Sequence, residues 1–353
     1  MRIQKCWKKE PGTRLAGSRE LDSSKLQAPA IVRIPAGGFR LFYTAIGPAK
    51  PYPECQGYIL SAVSEDGLTF HTEPGIRLAP QPELPHMSLR VLSPSVTPTT
   101  SGHWRMYFES RGTADSPTVI CSALSRDLLN WEHEAGIRVS GLDRIGGPRY
   151  LTLPDGRGRL YCFASECEPS EHFPGRRLRQ GVISAITTDG RNFEIEPGYR
   201  LLSGQTELDT SGITSAEVTL PTGEDNTWTM VYSAWQDAPT GTIVPLHPSH
   251  DPNAVTSGQS ANFAAASIAT DMAGYRSRIF ATFSKDGLVW TPGSCVMEGT
   301  GYGRPGLDAV HAEDMSLVQL GDGRYRMYYA ACDQNGIWRI VSAVTSDTNP
   351  QSS

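Results

Sequence analysis

No stretch of this 353-residue sequence approaches the run of about 20 apolar residues that crosses a membrane as a helix, so no membrane partner is expected. A basic excess is missing as well: 32 Lys and Arg stand against 37 Asp and Glu, a net charge of −5. A nucleic-acid partner would want a positive face, so none is expected. Strongly acidic or basic tails are absent. The first residues, MRIQKCWKKEPG, hold no apolar stretch of about 7–15 residues of the kind a secretory signal needs. The seven cysteines are odd in number and form no paired C-x-x-C element, which argues against a zinc site. They read as free thiols in a reducing compartment, and the expected location is cytoplasmic. What remains, at 39% hydrophobic and 20% charged residues, is an ordinary globular composition. A chain of this length can bury a large core without disulfides or structural metals.

What the sequence does have is a repeat. Ser64-Glu-Asp-Gly-Leu-Thr-Phe70 recurs as Ser125-Arg-Asp-Leu-Leu-Asn-Trp131, Thr187-Thr-Asp-Gly-Arg-Asn-Phe193 and Ser284-Lys-Asp-Gly-Leu-Val-Trp290. Asp, usually followed by Gly, between an apolar run and an aromatic is the chemistry of a tight hairpin turn. A second signature follows, in Glu73-Pro-Gly-Ile-Arg-Leu78, Glu134-Ala-Gly-Ile-Arg-Val139 and Glu196-Pro-Gly-Tyr-Arg-Leu201; the fourth copy keeps only Pro292-Gly293. The arginines of this signature (Arg14, Arg77, Arg138 and Arg200) fall at one place in every unit and read as architectural. Trp7-Lys-Lys-Glu-Pro-Gly-Thr-Arg-Leu15 carries the second signature with no turn before it, whereas Ile340–Asp347 is a strand leading into a turn with nothing after it. The two read as halves of one repeat.

The aromatics at 7, 70, 131, 193 and 290 are separated by 63, 61, 62 and 97 residues, so one unit carries an insertion. Each unit holds three strand-like runs, and the turn leads to a fourth. Four-stranded units repeated about an axis are propeller blades. The expectation is an all-β, five-bladed β-propeller forming a single domain over 1–353. An N-terminal strand at about 4–16 completes the last blade, and an insertion at about 236–277, carrying His247 and His250, lies in the fourth. Long connections at 45–57, 166–181 and 236–277 fall between second and third strands, on the face where each innermost strand starts. A pocket is expected on that face.

The strand starts read Gln27-Ala-Pro-Ala-Ile31, Leu92-Ser-Pro-Ser-Val96, Gly146-Gly-Pro-Arg-Tyr150, Ser215-Ala-Glu-Val218 and Glu313-Asp-Met-Ser316. With the turn-plus-aromatic repeat, this pattern resembles the five-bladed glycoside hydrolases of the arabinanase, β-xylosidase and β-fructosidase superfamily. The resemblance implies a carbohydrate or other polar small-molecule ligand and carboxylates at the axis, one protonating the leaving oxygen while a second attacks or activates water. It places those carboxylates at positions that read Ala28, Ser93 and Gly146 here, none of which can donate a proton or carry charge. The acid-rich constellation left at axial positions is Glu217, His311, Glu313 and Asp314. Glu217 or Asp314 is expected as general base with His311 as proton-transfer partner. Arg90, Arg149, Glu313, Gln27, Asp308 and Trp235 are expected to bind substrate. No cofactor or metal is expected, although the resemblance leaves room for an axial cation near His311; His86 and His103 are assigned no role. The functional expectation is a glycoside hydrolase-like enzyme with a non-standard acid–base set. A lyase, isomerase or cyclase, or a ligand-binding propeller without catalysis, is the alternative.

Overall fold

The computed structural model describes residues 6–112, 116–142, 144–170, 173–210, 212–221, 226–237 and 275–346, with side chains described outside 166–179, 237 and 275. All regular structure among the described residues is β. Two short strands open the chain, β1 (Trp7–Lys9) and β2 (Leu15–Ala16). The first meander runs β3 (Lys25–Arg33), β4 (Phe39–Ile46), β5 (Tyr58–Ser64) and β6 (His71–Thr72). The next runs β7 (Arg90–Pro98), β8 (Trp104–Arg111), β9 (Val119–Ser125) and β10 (Glu132–His133). A third holds β11 (Arg144–Thr152), β12 (Gly158–Ser170) and β13 (Phe173–Thr187), with β14 (Glu194–Ile195) and β15 (Leu201–Leu202) both on β13. The remaining sheet has nine strands. Within it β16 (Gly212–Thr219), β17 (Trp228–Asp237), β18 (Tyr275–Ser284) and β19 (Ser294–Met297) form one meander. A second comprises β20 (His311–Gln319), β21 (Tyr325–Cys332) and β22 (Trp338–Thr345), joined to the first by one parallel pairing, Ser277↔His311. Both β1 and β2 pair antiparallel with β22, in the registers Trp7↔Thr345 and Leu15↔Ile340.

The connection expected at 166–181 is instead ladder: β12 and β13 stay paired out to Ser170↔Phe173. Most of the insertion expected at 236–277, with His247 and His250, lies outside the described residues.

The repeated turn holds itself together with one carboxylate. Asp66 Oδ1 accepts the backbone N–H groups of Leu68 and Thr69 at 2.7 and 2.8 Å and the Ser64 hydroxyl at 2.9 Å. Asp127, Asp189 and Asp286 make the same set. These donors hold all four carboxyls below the usual carboxylate range. The next residue is left-handed, at Gly67, Gly190 and Gly287 and also at Leu128, where φ is 65°. Leu128 tolerates that conformation because its side chain is buried among Met87, Val91 and Met106.

The signature arginines tie one unit to the next. Nη1 of Arg14, Arg77 and Arg138 donates to the carbonyls of Leu68, Leu129 and Arg191, each in the following unit's turn, at 2.9, 3.2 and 3.2 Å. The signature glutamates pair with second-strand arginines, as in Arg40–Glu73, Arg105–Glu134, Arg159–Glu196 and Arg326–Glu10. In the degenerate copy Thr229 and Gly293 stand in their place. Each post-turn aromatic packs edge-on against a second-strand ring of the preceding unit: Trp131 on Phe42, Phe193 on Tyr107, Trp290 on Tyr161 and Phe70 on Tyr328.

At the centre lies Arg149. Nη1 donates to the carbonyls of Pro94 and Pro148 at 3.1 and 3.0 Å, and Nη2 to those of Pro29 and Met315 at 3.4 and 3.2 Å. Nε stands 2.9 Å from Glu217 Oε2. One buried guanidinium thus touches β3, β7, β11, β16 and β20, the first strand of every meander. Replacing it by Met leaves a carboxylate and three foreign carbonyls without their donor. Arg149→Met is expected to lose about 3–5 kcal/mol of unfolding free energy in denaturant titration, and a loss below about 1 kcal/mol would remove it from this role. The turn aspartates fix a second expectation. Their folded values are depressed, so their contribution is complete above the unfolded value of about 3.9 and is lost as pH falls through the folded values. The thermal midpoint should fall below about pH 4, and Asp189→Asn should flatten that acid limb.

Candidate active site

Four first strands begin with the same irregularity. Ladder pairing jumps between Gln27 and Ala30, Leu92 and Ser95, Gly146 and Arg149, and Glu313 and Ser316, so two residues oppose one. The first skipped residue is left-handed in each: Ala28 at φ 49°, Ser93 at 54°, Gly147 at 56° and Asp314 at 49°. An Ala, a Ser and an Asp in that region each cost about 1–2 kcal/mol. Strain repeated at one level of the axis, where a cavity opens, marks a site. The β16 start carries a one-residue shift between Ile213 and Ser215 instead.

The cavity at these starts has a volume of about 740 Å³. Gln27, Arg90, Trp235, Glu313 and Asp314, all named from the sequence, line it. Glu313 is 3% and Asp314 8% exposed. Trp235 Nε1 donates to Glu313 Oε2 at 2.8 Å. The Ser233 hydroxyl accepts the Asp314 N–H at 3.2 Å and so fixes the strained turn of backbone. Burial raises the Glu313 carboxyl, with Lys25 and the Trp235 hydrogen bond pulling the other way. Burial also raises Asp314 well above the carboxylate range, and the neighbouring Glu313 charge adds to the rise against Arg149 and Lys25. Both shifts run toward the protonated form.

The other residues named from the sequence stand elsewhere. Glu217 and Arg149 form the axial tie and do not line the cavity. Burial pushes the Glu217 carboxyl up to about 7 despite the arginine. His311 is 1% exposed, stacked on Trp338 with ring centroids 5.4 Å apart, and its Nδ1 accepts the Ser277 N–H at 3.3 Å. Asp308 accepts from Tyr329 Oη at 3.0 Å and pairs with Lys9 Nζ at 2.6 Å, holding the first strand of the chain. Among the described residues no group of three or more His, Cys, Asp or Glu side chains could hold a metal ion.

Sequence reasoning missed Lys25, Glu109, Arg111, Arg144, Gln180 and Phe163 on the cavity wall. Lys25 lies over the Trp338 ring, 4.4 Å from its centroid. Glu109 pairs with Arg90 at 2.7 Å, both side chains being less than a tenth exposed. A signal was available: Glu109 interrupts the apolar run Met106-Tyr-Phe108 in a strand that has to be buried, and a buried charge requires a partner.

No protein-family model matches the sequence, and no curated protein matches it. Solved structures do. A glycoside hydrolase superposes with a TM-score of 0.66 at 15% identity, over 98% of this chain and 94% of the other. A structure from the GH130 family of mannoside phosphorylases, which contains glycoside hydrolases that target beta-1,2 mannosidic linkages in Candida mannan, gives 0.63 at 12% identity, over 100% and 97%. An N-acetylgalactosamine deacetylase from F. plautii, in complex with blood group B trisaccharide, gives 0.62 at 13% identity, over 97% and 96%. The fold is that of the propeller glycoside hydrolases. In this propeller the cavity described above sits where the first strands begin.

A functional carboxyl held against its preference can be told from a structural one. The folded value of Asp314 is raised, so the stability tied to its bound proton is complete below the unfolded value of about 3.9 and is lost as pH rises through the folded value. Asn is isosteric and tolerates the left-handed region. Asp314→Asn is expected to gain about 1 kcal/mol at pH 8 and nothing at pH 4, read as thermal midpoints. A loss at pH 8 would assign Asp314 a structural role.

Proposed function

We propose that this chain is a five-bladed propeller enzyme that hydrolyses a glycosidic bond in a carbohydrate bound in the cavity at the strand starts. Blade order is supported by ties that run from the last unit to the first. Arg326 Nη1 donates to Asp66 O at 3.2 Å and Tyr328 Oη to Gly67 O at 2.7 Å, so each unit leans on the next around the axis. On this reading β1 and β2 complete the fifth blade through β22. A cavity of about 740 Å³ falls inside the range that holds small ligands. Its wall mixes Trp235 and Phe163 with Gln27, Gln180 and Thr118, apolar faces for a sugar ring and polar groups for its hydroxyls.

The observation that carries the reading is Asp314: a buried carboxyl, strained at the mouth of a first strand, facing a polar cavity with its proton retained by burial and by Glu313. Glycoside cleavage needs such a group, because the leaving alkoxide must be protonated as the bond breaks. Glu313 works through Asp314, since its charge makes the proton harder to remove. The role comes from the carboxyl at the β20 start; Glu217 belongs to the scaffold below.

The test uses a panel of 4-nitrophenyl glycosides of neutral and uronic sugars. Turnover by the wild type is expected, with a rate that declines on the alkaline side as Asp314 loses its proton. Asp314→Asn should lower kcat by about 10²–10⁴-fold and abolish that alkaline limb. Binding of the same glycosides without release of nitrophenol would leave a sugar-binding propeller and remove the hydrolytic assignment.

A further inference from the structure

Glu109 sits in the second strand of its meander yet contributes to the cavity at the start of the neighbouring first strand. It is 5% exposed. Its two oxygens have separate surroundings. Oε1 accepts a hydrogen bond from Arg90 Nη2 at 2.7 Å. Oε2 accepts none from the described residues and faces Gly146. A Cβ added at Gly146 would lie 2.1 Å from Oε2 and 2.8 Å from the carboxyl carbon of Glu109.

The backbone does not call for glycine at this position. Gly146 is outside the left-handed region, unlike Gly147 after it. What calls for glycine is the space: the Glu109 carboxylate and the tip of the Phe163 ring, 2.5 Å from the same notional Cβ, occupy the volume a side chain would fill. The β11 start thus presents a carboxylate that it does not encode, reaching in from β8. Arg90, also on the cavity wall, holds that carboxylate in place. A buried carboxylate on a cavity wall, with one oxygen anchored and the other accepting no hydrogen bond from a described residue, is placed to accept a proton.

We propose that Glu109 is the second catalytic carboxylate of this site, the general base, delivered across the unit boundary into the room left by Gly146. The proposal rests on the hydrolytic reading above. In the step it describes, water attacks the anomeric carbon and passes its proton to Glu109 Oε2. The bond to the leaving oxygen breaks, and the Asp314 proton goes to that oxygen. One water is consumed, nothing is oxidised or reduced, and proton exchange with solvent restores both carboxyls. The charge of Glu109 also acts on Asp314, helping to retain its proton until the leaving oxygen takes it. Gly146 is a positioning residue: it touches no substrate and acts through the carboxylate it admits.

The experiment uses 2,4-dinitrophenyl and 4-nitrophenyl glycosides of neutral and uronic sugars with the full-length chain. Glu109→Gln should lose about 10²–10⁴-fold on both leaving groups, whereas Asp314→Asn should be spared on dinitrophenyl, which departs without a proton. Glu109→Ala with sodium azide should recover turnover and yield the glycosyl azide, an outcome a purely structural glutamate would not give. Glu109→Gln leaves Arg90 with a neutral partner and can lose stability, so Glu109→Asp is the companion variant. It keeps the charge opposite Arg90 and should melt near the wild-type temperature while still losing rate. Gly146→Ala should slow the enzyme, and the double variant with Glu109→Gln should be no slower than Glu109→Gln alone, as expected if both act through one group. If Glu109→Asp is folded and within about threefold of wild type, Glu109 is not catalytic and the hydrolytic reading survives without it. A wild type inert on every glycoside of the panel would overturn both together.

Discussion

The architecture hangs on one guanidinium. Arg149 donates to carbonyls of Pro29, Pro94, Pro148 and Met315 and meets the Glu217 carboxylate, so each first strand gives one acceptor to a single side chain. Strand ends converging on an axis aim carbonyls at each other, and some group must satisfy them where water is excluded. An arginine, with five donors in a rigid fork, can do this for several strands at once. A lysine has three donors on a compact head and could not span the same set. Burying a full charge costs several kcal/mol, and Glu217 offsets part of that cost. The same carboxylate is engaged by the central arginine through Oε2.

That tie does not line the cavity, and the strain is found at the residues just before its acceptors. With the strands gripped at Arg149, the residues just before it in each strand turn outward into bulges. Four of them adopt the left-handed region. The frame is nearly the same each time, but the side chains differ: Ala28, Ser93, Gly147 and Asp314 occupy equivalent positions, and only one is ionisable. A rigid ring therefore presents one acid at one point of its circumference, and the cavity wall around it decides what that acid does. Lys25 favours the charged forms of Glu313 and Asp314, while Glu109 favours the protonated form of Asp314.

Much of the fold was legible because its signals are local. The Asp of each turn, the aromatic behind it and the Glu-Pro-Gly-x-Arg signature all act within one unit or on the adjacent one, so their chemistry shows as a repeat. Arg14, Arg77 and Arg138 read as architectural from position alone, and their bonds to the next turn agree. The site was less legible because it is assembled across units. Gln27, Arg90, Trp235, Glu313 and Asp314 were reachable from the strand starts. That Glu217 meets Arg149 while Asp314 lines the cavity could not be read without depth along the axis: the β16 start lacks the two-residue bulge, and Glu217 ends up level with Arg149. His311 at the β20 start stacks on Trp338, and Asp308, just before that strand, accepts from Tyr329. A reading confined to the strand starts passes over Lys25 and Glu109, because one precedes the motif and the other lies in a different strand.

Gly146 shows why reading strand starts one at a time is insufficient. Taken from its own strand, a glycine there means a carboxylate is missing and the site is depleted. In three dimensions the vacancy is filled, because a propeller brings the second strand of one unit beside the first strand of the next, and a side chain four bonds long crosses that boundary. Charge at the axis is then a property of the ring more than of any one strand. A glycine and a glutamate 37 positions apart in sequence together put a carboxylate beside the β11 start. The arrangement also explains Arg90: a carboxylate reaching that far needs an anchor, and the arginine on β7, whose strand pairs with β8, is the nearest place one could stand.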